Sequence, residues 1–286
     1  MNAQDPVRAG NPDTVRDAAR NAAYDALNAY MGPPARNAAR NAAYDALNAY
    51  TEPPARNVAN NPTVALWKAV RAGNLNKVNA AIAAGGNVNS RNSRSDLPIL
   101  HAAILLDAGH HNMEIADILI QNGADIDMFW FESTPLQVAL SQGNSNVAYM
   151  LINRGANIHL PGMANKVALD IAAEFASDEV VELLLAHGAN VNRRGSSGHP
   201  PIVHALFRVQ DIGSSQVDIL LNAGADLQMV VEHNFVSKSI HAWACEGFYG
   251  QSARNLICSN GGKRRTRRRN TRRRNTRRRS SRKNRK

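Results

Sequence analysis

The residue types in this chain that could do chemistry are nine histidines, two cysteines and a dense set of arginines. His110 and His111 are adjacent, but no cysteine or carboxylate stands beside them at the spacing of a ligand set. His241 and Cys245 fall four apart, on one face of a helix, with no second such pair. Cys245 and Cys258 are too few for a disulfide framework. They are expected to be free, buried small residues of a protein in a reducing compartment. No Ser/His/Asp order and no paired-carboxylate signature appears, and Gly85-Gly86 and Gly261-Gly262 lack the Lys-Ser/Thr that would complete a phosphate loop. The expectation is a protein that is not an enzyme, with no cofactor and no metal.

The arginines are the most definite chemical feature. Residues 263–286 read KRRTRRRNTRRRNTRRRSSRKNRK, with sixteen Lys and Arg and no acid. The whole chain has 34 basic and 23 acidic residues, so 34 less 16 leaves 18 basic residues in 1–262. The body is therefore near −5 and the tail +16. Lys263, Arg264, Arg265, Arg267, Arg268, Arg269, Arg272, Arg273, Arg274, Arg277, Arg278 and Arg279 form the candidate nucleic-acid or import segment. Such a run contacts phosphates and not base edges, with steep salt dependence. It holds no aromatic for base stacking and no apolar residue around which to fold, so it is expected to be disordered.

Something must carry this tail, and the rest of the chain is periodic. Gly123-Ala124-Asp125-Ile126-Asp127 is echoed by Gly85-Gly86-Asn87-Val88-Asn89, Gly155-Ala156-Asn157-Ile158-His159, Gly188-Ala189-Asn190-Val191-Asn192 and Gly224-Ala225-Asp226-Leu227-Gln228. Self-similarity at a period of roughly 20–50 residues is the mark of a solenoid. An apolar helical run precedes each phrase: Val78–Ala84, Ile115–Gln121, Val147–Asn153, Val180–Ala186 and Val217–Leu221, with Ala253–Ser259 before Gly261-Gly262. A glycine just past a helix supplies the left-handed backbone that ends it. Ala102, Ala103, Ala139, Ala172 and Ala173 allow close helix approach, while Leu119, Leu151, Leu184 and Leu221 supply bulk. Neighbouring pairs must stack to complete the core.

First helices open on Ser133-Thr134-Pro135-Leu136-Gln137-Val138-Ala139-Leu140, Pro98-Ile99-Leu100-His101-Ala102-Ala103, Val167-Ala168-Leu169-Asp170-Ile171-Ala172-Ala173 and Pro201-Ile202-Val203-His204-Ala205-Leu206. Leu66-Trp67-Lys68-Ala69-Val70 and Ile240-His241-Ala242-Trp243-Ala244 open two more. With the glycine stops, residues 63–262 resemble the ankyrin repeat family. The resemblance implies an all-α helix-turn-helix solenoid with short finger hairpins. Six units are expected, at about 63–95, 96–131, 132–164, 165–198, 199–235 and 236–262. His101, His204 and His241 fall at the family's structural histidine, which implies a hydrogen bond to the turn. Spacings are longer in units two, five and six, which places insertions at the turn between their helices, around Asp107–His111 in unit two. The last unit, with exposed-looking Phe248 and Tyr249, is expected to be a C-terminal cap.

Residues 1–62 hold a second repeat, AARNAAYDALNAY at Ala18–Tyr30 and again at Ala38–Tyr50, punctuated by Pro33-Pro34 and Pro53-Pro54. Two alanine-rich helices are predicted, roughly 17–30 and 35–50. Residues 1–60 show no charged-then-apolar leader, and no apolar run reaches the roughly 18 residues of a membrane span.

The expected protein-binding surface is the row of fingers. Met128, Phe129, Trp130 and Phe131 replace the usual polar tip, and three aromatics in a row cannot all face inward on a two-residue period. At least one is expected at the surface, where rigid aromatics make binding hot spots. Met163, Arg193, Arg194, Met229 and Val230 are further finger candidates. The implied function is a non-enzymatic adaptor that holds an unidentified protein, with the tail directing it to the nucleus or nucleolus or to nucleic acid. The alternative makes the tail primary, in a nucleic-acid-binding or packaging-associated protein docked by its repeats. A soluble intracellular chain with no membrane partner is expected, in the nucleus or nucleolus of a host cell or in the cytoplasm. Its oligomeric state is open, with a monomer favoured. Basic tails and repeat arrays of this kind also resemble those of large DNA viruses.

Thr266, Thr271, Thr276, Ser280 and Ser281 each lie within two residues after an arginine. The hypothesis is that a basophilic kinase phosphorylates them, each event removing about 1.5–2 charges. Full phosphorylation should then weaken nucleic-acid binding in a filter or gel-shift assay and alter location. Unchanged affinity and location would rule the switch out.

Overall fold

A computed structural model describes residues 61–93, 95–105, 111–212 and 215–258. The predicted alanine-rich helices, the Gly261-Gly262 stop, the basic tail and most of the insertion after Leu105 lie outside these residues. The described residues form twelve α-helices and one two-stranded sheet. The chain divides into two compact units, one reaching Ala189 and one starting at Asn190.

The first unit contains four helix pairs: α1 (Pro62–Arg71) with α2 (Leu75–Ala83), α3 (Ile99–Leu105) with α4 (Asn112–Gln121), α5 (Pro135–Ser141) with α6 (Ser145–Asn153), and α7 (Ala168–Phe175) with α8 (Asp178–Ala186). The odd helices pack in series, and so do the even ones, giving two layers. Local chemistry sets the starts. Asn61 caps α1 by accepting from the Thr63 amide, with Pro62 in the first turn. Asn74 and Asn144 cap α2 and α6 through the Lys77 and Val147 amides. At α5, Thr134 and Gln137 exchange side-chain to backbone bonds of 3.3 and 3.0 Å, a reciprocal capping box.

The recurring phrase sets the ends. Gly123 has φ +88°; its amide bonds Ile120 O, and that of Ala124 bonds Leu119 O at 2.9 Å. This is a Schellman closure, and the same pair of bonds recurs after α2, α6 and α8. A Cβ at Gly123 would meet nothing within 4 Å, so the dihedral and not space calls for glycine. The acidic and amide residues that follow turn the chain. Asp125 Oδ1 accepts from the Asp127 amide at 3.0 Å. Each finger then grips the next: Asn89 accepts from the Asp125 amide at 2.7 Å and donates to Gly123 O at 2.9 Å, and Asp127 accepts from the Asn157 amide at 2.9 Å.

Small residues fill the seam between pairs. Ala102, Ala103, Ala139, Ala172 and Ala173 are fully buried, with Leu119, Leu151 and Leu184 opposite them. The residue facing the finger from each first helix varies in kind and keeps one task. Trp67 Nε1 donates to Ser90 Oγ at 2.9 Å, His101 Nε2 bonds Ser133 O at 3.2 Å, and Gln137 Nε2 donates to Leu160 O at 2.8 Å.

The second unit contains α9 (Pro201–Ile212), α10 (Ser215–Asn222), an antiparallel hairpin of β1 (Val230–His233) and β2 (Val236–Ser239), α11 (Ile240–Cys245) and α12 (Gly250–Cys258). The same interlock recurs here. Asn192 accepts from the Asp226 amide at 2.8 Å and donates to Gly224 O at 3.1 Å. The longer spacing of this repeat partly lengthens α9 to 12 residues.

Three expectations are corrected here. Leu220, not Leu221, is the buried leucine of α10, because the inward face is set by Gln216, Val217 and Leu220, four residues before the glycine. Tyr249 is 2% exposed, covered by Phe207 at 5.0 Å, so only Phe248 of that pair reaches solvent. Cys245 and Cys258 form a disulfide, not free thiols. The last residues of α11 and α12 lie side by side, with Cα atoms 5.8 Å apart. Closing this 13-residue separation stabilises the fold by about 3 kcal/mol, mostly by restricting the unfolded chain.

Gly162 tests the packing of the seam. Its Cβ would overlap the Gln137 side chain and approach Glu132 O at 2.7 Å. Gly162→Ala should cost about 1–3 kcal/mol in chemical denaturation. Gly123→Ala, strained in dihedral only, should cost about 1 kcal/mol. Equal stability of Gly162→Ala and the parent would contradict this packing.

Candidate functional site

The fingers carry the exposed apolar chemistry. In the first unit the finger after α4 closes on a bridge between Trp130 and Ser133, with bonds of 2.9 and 3.0 Å in both directions. The two residues between them, Phe131 and Glu132, both have positive φ, +44° and +55°. That conformation suits a tight hairpin turn and disfavours a bulky side chain. The turn persists because its flanks are held. Arg91 donates to Phe129 O at 3.0 Å, and Trp130 Nε1 donates to Ser95 O at 3.2 Å, on the preceding finger. Trp130 also lies edge-on to His101, centroids 5.9 Å apart.

The aromatic run thus splits by role. Phe129 is 40% exposed, Trp130 only 8%, and Met128 and Phe131 are half-buried. Phe131 leans on Trp130, centroids 4.7 Å apart. Trp130, expected in the binding surface, is a support beneath it, because its indole N–H finds a carbonyl on the neighbouring finger.

The finger of the second unit is the β1–β2 hairpin. Its turn, Asn234-Phe235, again has two residues at positive φ, +51° and +62°. Phe235 is 98% exposed, with exposed Val236 next to it and exposed Val230 at the far end of β1. This tip was missed in the sequence because the second turn residue is Phe where Gly is usual. The β-branched runs flanking Asn234 were the available signal. The hairpin base is firm: His233 stacks on Phe248 at 4.4 Å and its Nε2 lies 3.0 Å from the Tyr249 hydroxyl, while Trp243 donates to Val231 O at 3.2 Å. Burial pushes the Tyr249 phenol up. Burial first, then neighbouring His199, holds the His233 imidazole down.

The other finger candidates scatter. Met163 is half-buried in a short turn with Ala164 and Asn165 at positive φ. Met229 is half-buried, and its carbonyl accepts from the Ile240 amide. Arg193 is half-buried. Arg194 donates to Gly198 O at 3.1 Å and Val230 O at 2.7 Å, the counterpart of Arg91 in the first unit, so its guanidinium braces the next finger. The candidates from Lys263 to Arg279, and Thr266, Thr271, Thr276 and Ser280, lie outside the described residues. Among the described residues no helix is long and apolar enough to cross a membrane.

Helix pairs that stack in layers, with neighbouring fingers bonded to one another within each unit, define a helical repeat protein. Residues 66–162 and 108–195 match the family model of ankyrin repeats in three copies. A putative ankyrin repeat protein of Acanthamoeba polyphaga mimivirus is 31% identical over 101 residues, 34% of this chain and 61% of that one. A putative ankyrin repeat protein of Fowlpox virus (strain NVSL) is 24% identical over 146 residues, 51% of this chain and 76% of that one. A putative palmitoyltransferase of Danio rerio is 25% identical over 169 residues, 58% of this chain and 25% of that one. The chain covers 25% and 61% of the Danio rerio and mimivirus relatives, less than two thirds of either. Residues 66–195 are thus ankyrin repeats with resemblance to viral members, and ankyrin repeats suggest a protein-interaction module.

His101 makes one joint of this module titratable. Burial lowers its pKa from 6.5 to about 3. The folded state therefore holds it neutral where the unfolded chain is protonated. Stability is full above pH 6.5 and falls as pH drops towards 3, by up to about 1.4 kcal/mol per unit. His101→Gln, borrowing the residue at position 137, should flatten urea-midpoint against pH in that window. A slope unchanged by His101→Gln would assign the acid sensitivity elsewhere.

Proposed function

We propose that this protein is a non-enzymatic adaptor whose finger tips hold a protein partner. The observation that carries this reading is the exposure of aromatics at strained finger turns, Phe129 (40% exposed) beside one and Phe235 (98% exposed, at positive φ) within the other. A large apolar side chain at positive φ in solvent contributes nothing to the fold, and strain of this kind clusters at functional sites. Rigid aromatics with few rotors are also efficient anchors, since ordering them costs little. Trp130, Arg91 and Arg194 act beneath as braces that fix the tips before binding, which lowers the cost of association.

The Arg-rich tail, residues 263–286, would then direct the complex to the nucleus or nucleolus, or to nucleic acid, through phosphate contacts. The resemblance to viral ankyrin repeat proteins favours action inside a host cell. A second reading rests on the tail's sixteen cations, in which nucleic-acid association is primary and the repeats dock the protein onto an assembly.

Affinity capture with the full chain and three variants separates these. Phe129→Ser with Phe131→Ser, and Phe235→Asn, should each weaken capture of a discrete partner at least tenfold. Phe235→Asn should leave stability level or raised, because Asn tolerates the left-handed turn. Residues 1–262 should keep the partner and lose the location. Retention of all partners by both finger variants would refute the finger reading. Loss of all capture on removing the tail would favour the second.

A further inference from the structure

The second unit holds a cluster that the fingers do not use. His241 and Cys245 lie one turn apart on α11, and Cys258 ends α12. His241 occupies the position from which Trp67, His101 and Gln137 reach their fingers. Its ring instead lies against Cys245, with both nitrogens 3.8 Å from Sγ. One imidazole nitrogen and the two sulfurs all fall within 4.8 Å of one another.

We propose that this is a redox-gated site for a thiophilic divalent cation of the zinc class. In the oxidised chain the Cys245–Cys258 disulfide staples the two helices and offers no thiolate. A dithiol reductant donates two electrons and two protons, leaves as its own disulfide, and frees two thiols. A divalent metal then displaces the two thiol protons, and the two thiolates cancel its charge. The neutral His241 imidazole supplies a third lone pair.

The geometry is close to what such an ion demands. Zinc bonds of about 2.3 Å to sulfur and about 2.0 Å to nitrogen place tetrahedral S and N donors about 3.5 Å apart. The His241–Cys245 separation of 3.8 Å needs to close by only a few tenths, with the ring turned to aim one nitrogen. The Cα atoms of the cysteines, 5.8 Å apart, let two sulfurs separate to the ~3.8 Å that a shared ion requires once their bond is broken. Soft thiolates with one imidazole select zinc or copper(I) over magnesium or calcium. Three protein donors leave one position for water.

The test uses the full chain. It has only two cysteines, so any sulfur-to-metal charge-transfer band reports on this site and not on the other histidines. The chain is reduced with a phosphine under anaerobic conditions and titrated with Co2+. The expected result is a near-ultraviolet charge-transfer band saturating at one equivalent, tetrahedral visible bands, and loss of both when Zn2+ is added. The oxidised chain should give neither. His241→Ala should weaken Co2+ binding at least tenfold, and Cys258→Ser should remove the saturable band. Far-ultraviolet circular dichroism confirms that each variant is folded, and His241→Gln, which keeps a polar group of similar size, repeats the measurement if His241→Ala is not. Absence of the band in the reduced parent overturns the proposal. A band of equal affinity in folded His241→Ala or His241→Gln overturns the three-donor set.

Discussion

The fold depends on one backbone event repeated along the chain, a glycine in the left-handed region directly after a helix. At Gly123 it turns the chain sharply enough for its own amide and that of Ala124 to close back on the helix, and it brings Asp125 and Asp127 to the neighbouring fingers. Asn89 and Asn192 do the same work in their own units. Without the dihedral the Asx turn has no place to form, and without the turn the fingers have nothing to grip. The interlock is made of exposed hydrogen bonds, each worth about 1 kcal/mol or less. Its weight lies in register: it fixes how far one pair is offset from the next, and that offset decides whether Ala102, Ala139 and Ala172 meet across the seam.

Most of this was legible because it is local. Glycine stops, asparagine caps and the Thr134-Pro135 opening each act within four residues, so helix ends and the repeat period can be read from the chain. The family match then agrees with that period over residues 66–195. What the sequence hid lies in partners far along the chain. Trp130 looked like surface because its carbonyl partner, Ser95, is 35 residues away. Arg194 looked available because Val230, which it braces, is 36 residues on. The disulfide was passed over because two cysteines 13 apart mean little until the turn after α11 and the course of α12 bring Cys258 back to Cys245.

The fingers also show how one scaffold hosts different surfaces. Phe131-Glu132, Ala164-Asn165 and Asn234-Phe235 are three pairs of turn residues with the same left-handed backbone and unrelated side chains. The backbone is imposed by flanking bonds, so the tip residues are released from the composition that a free hairpin turn would require. The cost in strain is local, about 1–3 kcal/mol per residue at most, and falls on the loop and not on the layers beneath.

The inward slot filled by Trp67, His101 and Gln137 has a consequence for how the first unit comes apart. Trp67 and Gln137 carry no group that titrates; His101 does, and a proton there would charge a buried ring. Acid should therefore act as a wedge at a single seam, opening one sub-globular segment before the whole. The carbonyl His101 holds belongs to Ser133, which pairs with Trp130, which carries Phe129 and Phe131. The aromatic finger is thus hung on an acid-sensitive hinge, and its shape would blur at a pH that leaves the fingers held by Trp67 and Gln137 sharp.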